Sequence, residues 1–146
     1  MIGNRLLVCG SRDWGAVLDA HGDKRSSRTT ELLMMAAAMH EMVTDLYRQY
    51  GSVVVIDGGA KGADSMAYRE AKTLGVDTVR YFADWNTHGK AAGFIRNQQM
   101  IDEGQPDVAM AFITKPLHLS RGTHDMVKRL AAAGIQTTIV ESQPGS

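Results

Sequence analysis

Residues 83–100 place a tryptophan, a histidine, a lysine and an arginine among small residues, in the sequence ADWNTHGKAAGFIRNQQM. Lys90, Gly93 and Asn97 are spaced three and four apart, so they share one face if this segment is helical. Lys90 and Arg96 add positive charge near the start of that helix, where the helix dipole already favours an anion. The segment therefore predicts a site for a small anionic ligand.

The same segment begins with a carboxylate and an aromatic ring. Trp85 offers a surface for stacking on a base, although a tryptophan in a loop more often covers the core. Asp84 is a candidate for contacting ribose hydroxyls or for acting as a general base. His88 is interpreted as a capping or surface residue. No set of His, Cys, Asp and Glu residues has metal-ligand spacing, so no metal site is expected.

Three further motifs place glycines and charged residues directly after apolar runs or at the start of a helix: CGSRDW (9–14), DGGAKGAD (57–64) and, after KPLHLS, RGTHD (121–125). The glycines of the second motif suit an anion site at a helix start, but a tight strand-to-helix turn would use them equally. This motif is neither a Walker A loop nor a G-x-G-x-x-G fingerprint. The candidate ligand-binding residues of the three motifs are Gly10, Ser11, Arg12, Gly58, Gly59, Lys61, Gly62, Asp64, Gly122 and Thr123.

Several of these candidates also have structural interpretations, which stay open at this point. Ser11 and Arg12 are placed to contact a phosphate or carboxylate, or Arg12 pairs with a nearby acid such as Asp13 or Asp84. Thr123 either contacts the ligand or is only the cap of its helix.

Five short apolar runs alternate with stretches of helical periodicity. The expected strands are 5–9, 52–56, 78–82, 108–113 and 137–140, and the expected helices are 29–49, 63–74, 90–103 and 123–133. This alternation predicts a single Rossmann-like, doubly wound α/β domain over residues 1–141, with a five-stranded parallel sheet, helices on both faces and a frayed tail at 142–146. The carboxyl ends of parallel strands share one edge, so the four motifs are expected to converge there.

The chain is electrically balanced, with 16 Lys plus Arg and 16 Asp plus Glu residues. This balance argues against a broad electrostatic footprint for nucleic acid. Cys9 is the single cysteine, which excludes an internal disulfide and predicts a buried, reduced thiol. No signal peptide and no membrane-spanning apolar run are recognised, so we expect a cytoplasmic protein without membrane contact.

The helix expected around residues 30–46 is apolar on all sides for about two turns and contains Met34, Met35, Met39 and Met42. Two interpretations stand: a buried core helix, or a helix that buries an extra face in a homodimer or higher homo-oligomer. Upstream, residues 15–30 carry Lys24, Arg25 and Arg28. That segment is interpreted as a mobile lid or as a disordered surface loop.

Four motifs occur in an order that resembles the YspA-type branch of the SLOG superfamily, which is related to YpsA, "lonely guy" (LOG) and DprA proteins: GSRDW, GGAKGAD, ADWNTHGKAAGFIRNQQM and the final GT. The resemblance extends from residue 5 to about residue 140. It implies a Rossmann-like fold that binds nucleotides or nucleotide-derived ligands, such as ADP-ribose or NAD breakdown products. It also implies ligand sensing, in a bacterial cell or a phage-infected host.

The chain departs from the pattern of these relatives at three places. Phe94 replaces the usual proline after GKAAG, and the link at 15–30 is longer than usual. LOG hydrolases carry a catalytic glutamate in P-G-G-x-G-T-x-x-E, where this chain has Met126. Asp125 lies one position early, which turns a helical side chain by about 100°. Asp64 and Asp125 begin helices, so local amides are expected to hold both carboxylates ionised.

These observations support three functional hypotheses. Binding or sensing of a nucleotide-derived ligand is favoured. A LOG-like N-glycosidic phosphoribohydrolase is the alternative, and the missing glutamate weighs against it. DprA-like binding of single-stranded nucleic acid is third, because the net charge is zero and aromatic residues are few.

Overall fold

The computed structural model describes residues 3–16 and 28–142. Its strands are β1 (Arg5–Gly10), β2 (Val54–Asp57), β3 (Asp77–Arg80), β4 (Val108–Ile113) and β5 (Thr137–Glu141). Its α-helices are α1 (Arg28–Tyr50), α2 (Ala63–Leu74), α3 (Trp85–His88), α4 (Ala92–Asp102) and α5 (Arg121–Ala132), with 3-10 turns at Gly89–Ala91 and Leu117–Leu119. The interpretations of residues 15–30 as a lid or a disordered loop depend mainly on residues 17–27, which lie outside the described residues.

The five strands form one parallel sheet in the order β3-β2-β1-β4-β5. The central strand β1 pairs on both sides, with Leu7 opposite Ile56 of β2 and Ala109 of β4. The chain builds outward from β1 toward β3 and then returns to the other side of β1 at β4. Ligands of open parallel sheets bind beyond the carboxyl ends of the strands, at such a reversal of strand order.

Helices cover both faces of the sheet, as the sequence predicted. Leu6 and Val8 of β1 point to one face and share a buried core with Met39 of α1. Leu7 points to the opposite face, where it is buried with Met100 of α4 and Met126 of α5. Successive residues of a strand point to opposite faces, so one strand supplies both cores. The prediction of a doubly wound, Rossmann-like α/β domain is confirmed.

The structure differs from the sequence prediction at residues 78–103. The strand expected at 78–82 runs from Asp77 to Arg80. The next residue, Tyr81, still donates its amide to Asp57 O (2.9 Å) of β2. The expected helix 90–103 begins two residues late, at Ala92, because Lys90 and Ala91 belong to the 3-10 turn Gly89–Ala91. Gly89, with a φ of +55°, separates this turn from α3. Lys90 therefore lies in a turn before α4 rather than on the helix itself.

The predicted frayed tail begins one residue too early. Ser142 is buried, its amide donates to Ile113 O (2.9 Å), and its hydroxyl bonds to Glu31 Oε2 (2.8 Å). The rest of the predicted tail, residues 143–146, lies outside the described residues.

The methionines of α1 pack mainly against the domain's own sheet. Met35 and Met39 are buried, and Met34 and Met42 are partly buried against the same core. The opposite side of the helix exposes Leu33. The core interpretation thus accounts for the methionines, while assembly through this helix stays a prediction. In the part of the chain that the structure describes, no helix is long and apolar enough to cross a membrane.

Candidate functional site

A cavity of about 670 Å³ lies at the carboxyl edge of the sheet. Its size falls within the range of about 300–1,000 Å³ that is usual for small-molecule sites. All four sequence motifs contribute to its wall, as expected from the ends of parallel strands. The predicted residues that line it are Gly10, Ser11, Arg12, Asp64, Trp85, Lys90, Gly93, Arg96, Asn97, Gly122 and Thr123.

Other predicted residues lie outside the lining of this cavity, namely Gly58, Gly59, Lys61, Gly62 and Asp84. The glycines allow close approach, but to the protein's own groups. A side chain at Gly58 would collide with the guanidinium of Arg96, and one at Gly59 would collide with the ring of Phe82. Of the glycine-rich loop, Ala60 reaches the cavity wall. The glycine-rich loop thus lies beside the cavity as predicted, but the space next to Gly58 and Gly59 is occupied by Arg96 and Phe82.

The segment after β4 supplies lining residues that the sequence analysis missed: Lys115, Leu119, Ser120 and Arg121. The position of Lys115, two residues beyond the end of a buried strand, could have identified it as a site residue. The rule that selected Arg12 after β1 would have selected Lys115 as well. The sequence analysis instead passed over KPLHLS to the motif RGTHD that follows it.

The amino terminus of α5 opens toward the cavity without a side-chain cap. Ser120 occupies the N-cap position, makes no side-chain cap hydrogen bond, and has a buried Oγ without a partner among the described residues. The first amide bonded within the helix belongs to His124, which donates to Ser120 O (2.8 Å). The preceding amides, including those of Gly122 and Thr123 in the cavity wall, precede the first turn of helical hydrogen bonds. Such an open terminus suits an anion. Thr123 lies in the first turn and is not the cap.

Arg12 and Trp85 meet at the exposed rim of the cavity. The guanidinium carbon of Arg12 lies 5.8 Å from the centre of the Trp85 ring, within cation–π distance. Trp85 is 51% exposed, so it is not a cover over the core. Among the described residues, no ion pair joins Arg12 to Asp13 or Asp84. Ser11 instead accepts the amide of Thr114 through its Oγ (3.1 Å), which fixes the β1 loop against β4.

Arg96 is engaged by the protein itself. Its guanidinium donates to Gly58 O, to Tyr81 O (3.5 Å) and to Asn97 Oδ1 (3.1 Å). Burial lowers its pKa, and the neighbouring Asp64 opposes that shift. Arg96 therefore holds the glycine loop onto α4 and places a positive charge beneath the cavity, with several of its donors already in use.

Asp64 behaves differently from the sequence expectation. Its Oδ2 accepts the amides of Gly58 (3.1 Å) and, more weakly, Ala60 (3.4 Å). Burial nevertheless raises the pKa of Asp64 to about 7, against the lowering effects of Arg96 and these amides. The expectation that local amides would hold it ionised is not met near neutral pH, because burial raises its pKa more than the amides lower it.

Asp84 and Asp125, the candidate catalytic carboxylates, both accept hydrogen bonds from other protein groups. Asp125 lies outside the cavity lining and accepts from Arg129 Nε (2.7 Å) and from Asn97 Nδ2 (3.0 Å). Asp84 is exposed and caps α3 by accepting the amide of Thr87 (3.1 Å), which lowers the pKa of Asp84. Met126, at the position of the LOG glutamate, is buried and lines the cavity with an apolar side chain.

Cys9 lies in the cavity wall as a free, buried thiol. Burial raises the pKa of this thiol, and the negative charge of Asp64 adds to the effect. A thiol of high pKa is a weak nucleophile, since the thiolate is the reactive form. Among the described residues, no group of three or more His, Cys, Asp or Glu side chains could hold a metal ion.

Comparison with known proteins gives two matches. The model of the YspA, cpYpsA-related SLOG family matches residues 4–88. The Gene 61 protein of Mycobacterium phage D29 is 35% identical over 136 residues, which covers 90% of this chain and 91% of that protein. No solved structure matches. The family match covers more than half of the chain and includes the motifs at 9–14 and 57–64 and the start of the segment 83–100, so the chain belongs to the YspA, cpYpsA-related SLOG family.

Proposed function

We propose that the protein binds a nucleotide-derived ligand in this cavity, such as a nucleoside phosphate, ADP-ribose or an NAD-related compound. The observation that carries the proposal is the combination in one cavity of an open helix terminus, cationic side chains and an exposed aromatic ring. With this chemistry the protein acts as a ligand sensor in the cytoplasm of a bacterial cell or a phage-infected host, and a homo-oligomer formed on α1 transmits the ligand-bound state.

The phosphate end of the ligand belongs at the amino terminus of α5. Lys90, Lys115 and Arg121 line the cavity and are exposed. No carboxylate of the described residues pairs with any of the three. Unpaired cations beside open helix amides are the usual surroundings of a bound phosphate, because charge-assisted hydrogen bonds are stronger than neutral ones.

The base end belongs at the rim formed by Trp85 and Arg12. The Trp85 ring is half exposed and carries the Arg12 guanidinium near its centre. A nucleobase stacks on such a ring whatever its identity, because every base has a π-face. This end of the site therefore supports binding of a nucleoside without fixing which base it carries.

Removing the unpaired lysines is expected to weaken binding. Lys90→Ala and Lys115→Ala should each cost roughly 1.5–3 kcal/mol of binding free energy, the worth of a charge-assisted hydrogen bond. Isothermal titration calorimetry with AMP, ADP and ADP-ribose measures this loss, and native mass spectrometry of gently purified protein identifies any nucleotide that copurifies. Lys128→Ala is the matched control, because Lys128 is exposed on α5 but outside the cavity. Unchanged affinity in both lysine variants would exclude the assigned phosphate position.

The alternative function, hydrolysis of an N-glycosidic bond, is expected to be absent. The leaving base must be protonated, or the developing sugar cation stabilised, usually by a positioned carboxylate. Met126 occupies the position of the catalytic glutamate of LOG hydrolases, and Asp125 is bonded to Arg129. Incubation with AMP followed by chromatography should release no more adenine than buffer alone. Robust turnover that disappears in Asp64→Asn would favour the hydrolase, whereas Asp125→Asn should have no effect on the assay.

A further inference from the structure

We infer that Asp64 contacts the ligand directly, accepting a hydrogen bond from a ribose hydroxyl at the floor of the cavity. The ligand then enters with its sugar diol first, and its phosphate and base stay at the rim. This inference rests on the proposed nucleotide binding and specifies which edge of the nucleotide the site selects.

The carboxylate of Asp64 has one oxygen left for a ligand. Asp64 is 6% exposed and lines the cavity. Both amide bonds, from Gly58 and Ala60, reach Oδ2, and no described group donates to Oδ1. Oδ1 is also not among the buried atoms without a partner, so it retains access to the cavity. Buried carboxylates normally have their acceptor sites filled, so this oxygen is a place for a donor.

Arg96 does not make this floor a phosphate site. Its guanidinium donates to the carbonyl oxygens of Gly58 and Tyr81 and to the side chain of Asn97. A phosphate at the floor would have to compete with those acceptors and would also face the carboxylate of Asp64. Repulsion between like charges is strongest where water is excluded, so the phosphate is favoured away from the floor.

The charged side chains of the remaining cavity wall are mostly at the exposed rim. The other buried lining residues are uncharged: Cys9, Ser11, Asn97, Thr123 and Met126. The exposed lining residues include the unpaired cations and the aromatic ring: Arg12, Trp85, Lys90, Lys115, Leu119, Arg121 and Gly122. The ribose diol is the edge of a nucleotide that carries neither the charge nor the aromatic ring, so it matches the uncharged floor. The phosphate and the base match the cations and the tryptophan at the rim.

The inference is tested by calorimetry with ADP and 2′,3′-dideoxy-ADP, which share phosphates and base and differ in the diol. The wild-type protein should bind ADP about 10- to 100-fold more tightly, the effect of one hydrogen bond to a charged group. Asp64→Asn should weaken the binding of ADP by a similar factor and leave the binding of dideoxy-ADP unchanged. The variant should therefore have no preference for ADP over dideoxy-ADP. Asp102→Asn is the matched control, since Asp102 is an exposed residue at the end of α4.

Each other outcome has a distinct meaning. Equal affinity of the wild type for the two nucleotides overturns the diol contact while leaving nucleotide binding in place. Equal weakening of both nucleotides in Asp64→Asn also overturns it, because Asp64 would then contact the base or support the wall. Binding of neither nucleotide overturns the proposed function itself. The comparison of the two nucleotides on the wild-type protein needs no variant, so a folding defect of Asp64→Asn would leave the test intact.

Discussion

Gly62→Ala is expected to lower the free energy of unfolding by roughly 3–5 kcal/mol, the combined cost of a positive φ that L-residues rarely adopt and of overpacking. Gly62 has a φ of +75°. A Cβ at this position would lie 2.4 Å from the carbonyl oxygens of both Ser11 and Arg12. These are backbone atoms of the loop that follows β1, so they cannot move aside as a flexible side chain would. Urea unfolding followed by circular dichroism measures the loss.

Gly89→Ala is the matched control for this substitution. Gly89 has a similar backbone conformation, φ +55° and ψ −134° against φ +75° and ψ −126° at Gly62, and no atom would lie within 4 Å of an added Cβ. It should therefore show the conformational cost alone, about 1–3 kcal/mol. A similar loss of stability in both variants would contradict the view that Gly62 is required for contact between the two loops.

Arg96→Met is expected to lower the free energy of unfolding by about 3 kcal/mol, the scale of removing one partner of a buried, charged arrangement. The substitution leaves the carbonyl oxygens of Gly58 and Tyr81 without their donor. It also leaves Asp64 buried without the positive charge that lowers its pKa. Methionine retains most of the side-chain volume, so the loss reports on charge and hydrogen bonding rather than on an empty space. Urea unfolding of the two proteins at pH 7 measures it.

The pH dependence of stability separates the charge effect from the hydrogen bonds. The pKa of Asp64 rises from 3.8 to about 7 on folding, so the unfolded chain binds fewer protons between these values. Its contribution to stability therefore falls as the pH rises through this window and is level above it. The groups that face Asp64 are Arg96, Asp57 and, from β1, Cys9. Without Arg96 the native pKa of Asp64 rises further, so the decline should continue above about pH 7.

Arg129→Met is the comparison for Arg96→Met. Arg129 also pairs with a carboxylate, Asp125 (2.7 Å), but the two side chains are 32% and 23% exposed. Ion pairs near the surface contribute at most about 1 kcal/mol, so the loss should be smaller than that of Arg96→Met. Equal losses for the two arginines would show that Arg96 has no special role beneath the cavity.

The topology could be predicted from the sequence because it depends on hydrophobic patterns that do not change with the surroundings of single residues. Continuous apolar strands such as Val108–Ile113 indicated a sheet covered on both faces. The rule that parallel strands end at one edge then brought Arg12, Lys90 and Thr123 together without any knowledge of distances. The family resemblance pointed to the same fold independently.

The chemistry of individual residues was less accessible, because it depends on what surrounds them. The effect of the amides on Asp64 was foreseeable, but the depth of its burial was not, and burial decides the direction of its pKa. The neighbours of Gly58 and Gly59 are side chains from distant parts of the sequence, Arg96 and Phe82. No local pattern distinguishes such a glycine from one that faces a ligand.

The carboxylate of Glu31 joins the two ends of the connection between β1 and α1. It accepts the amide of Gly15 (2.6 Å) and bonds to the hydroxyl of Ser142 (2.8 Å). The connection between β1 and α1 therefore has its two ends joined at one buried point, to which the last strand is also tied. When the ends of a connection are fixed in this way, the cost of loop closure depends only weakly on its length, and doubling the length costs about 0.6 kcal/mol. As far as loop closure is concerned, insertions and deletions between Gly15 and Glu31 are therefore expected to change the stability of the domain little.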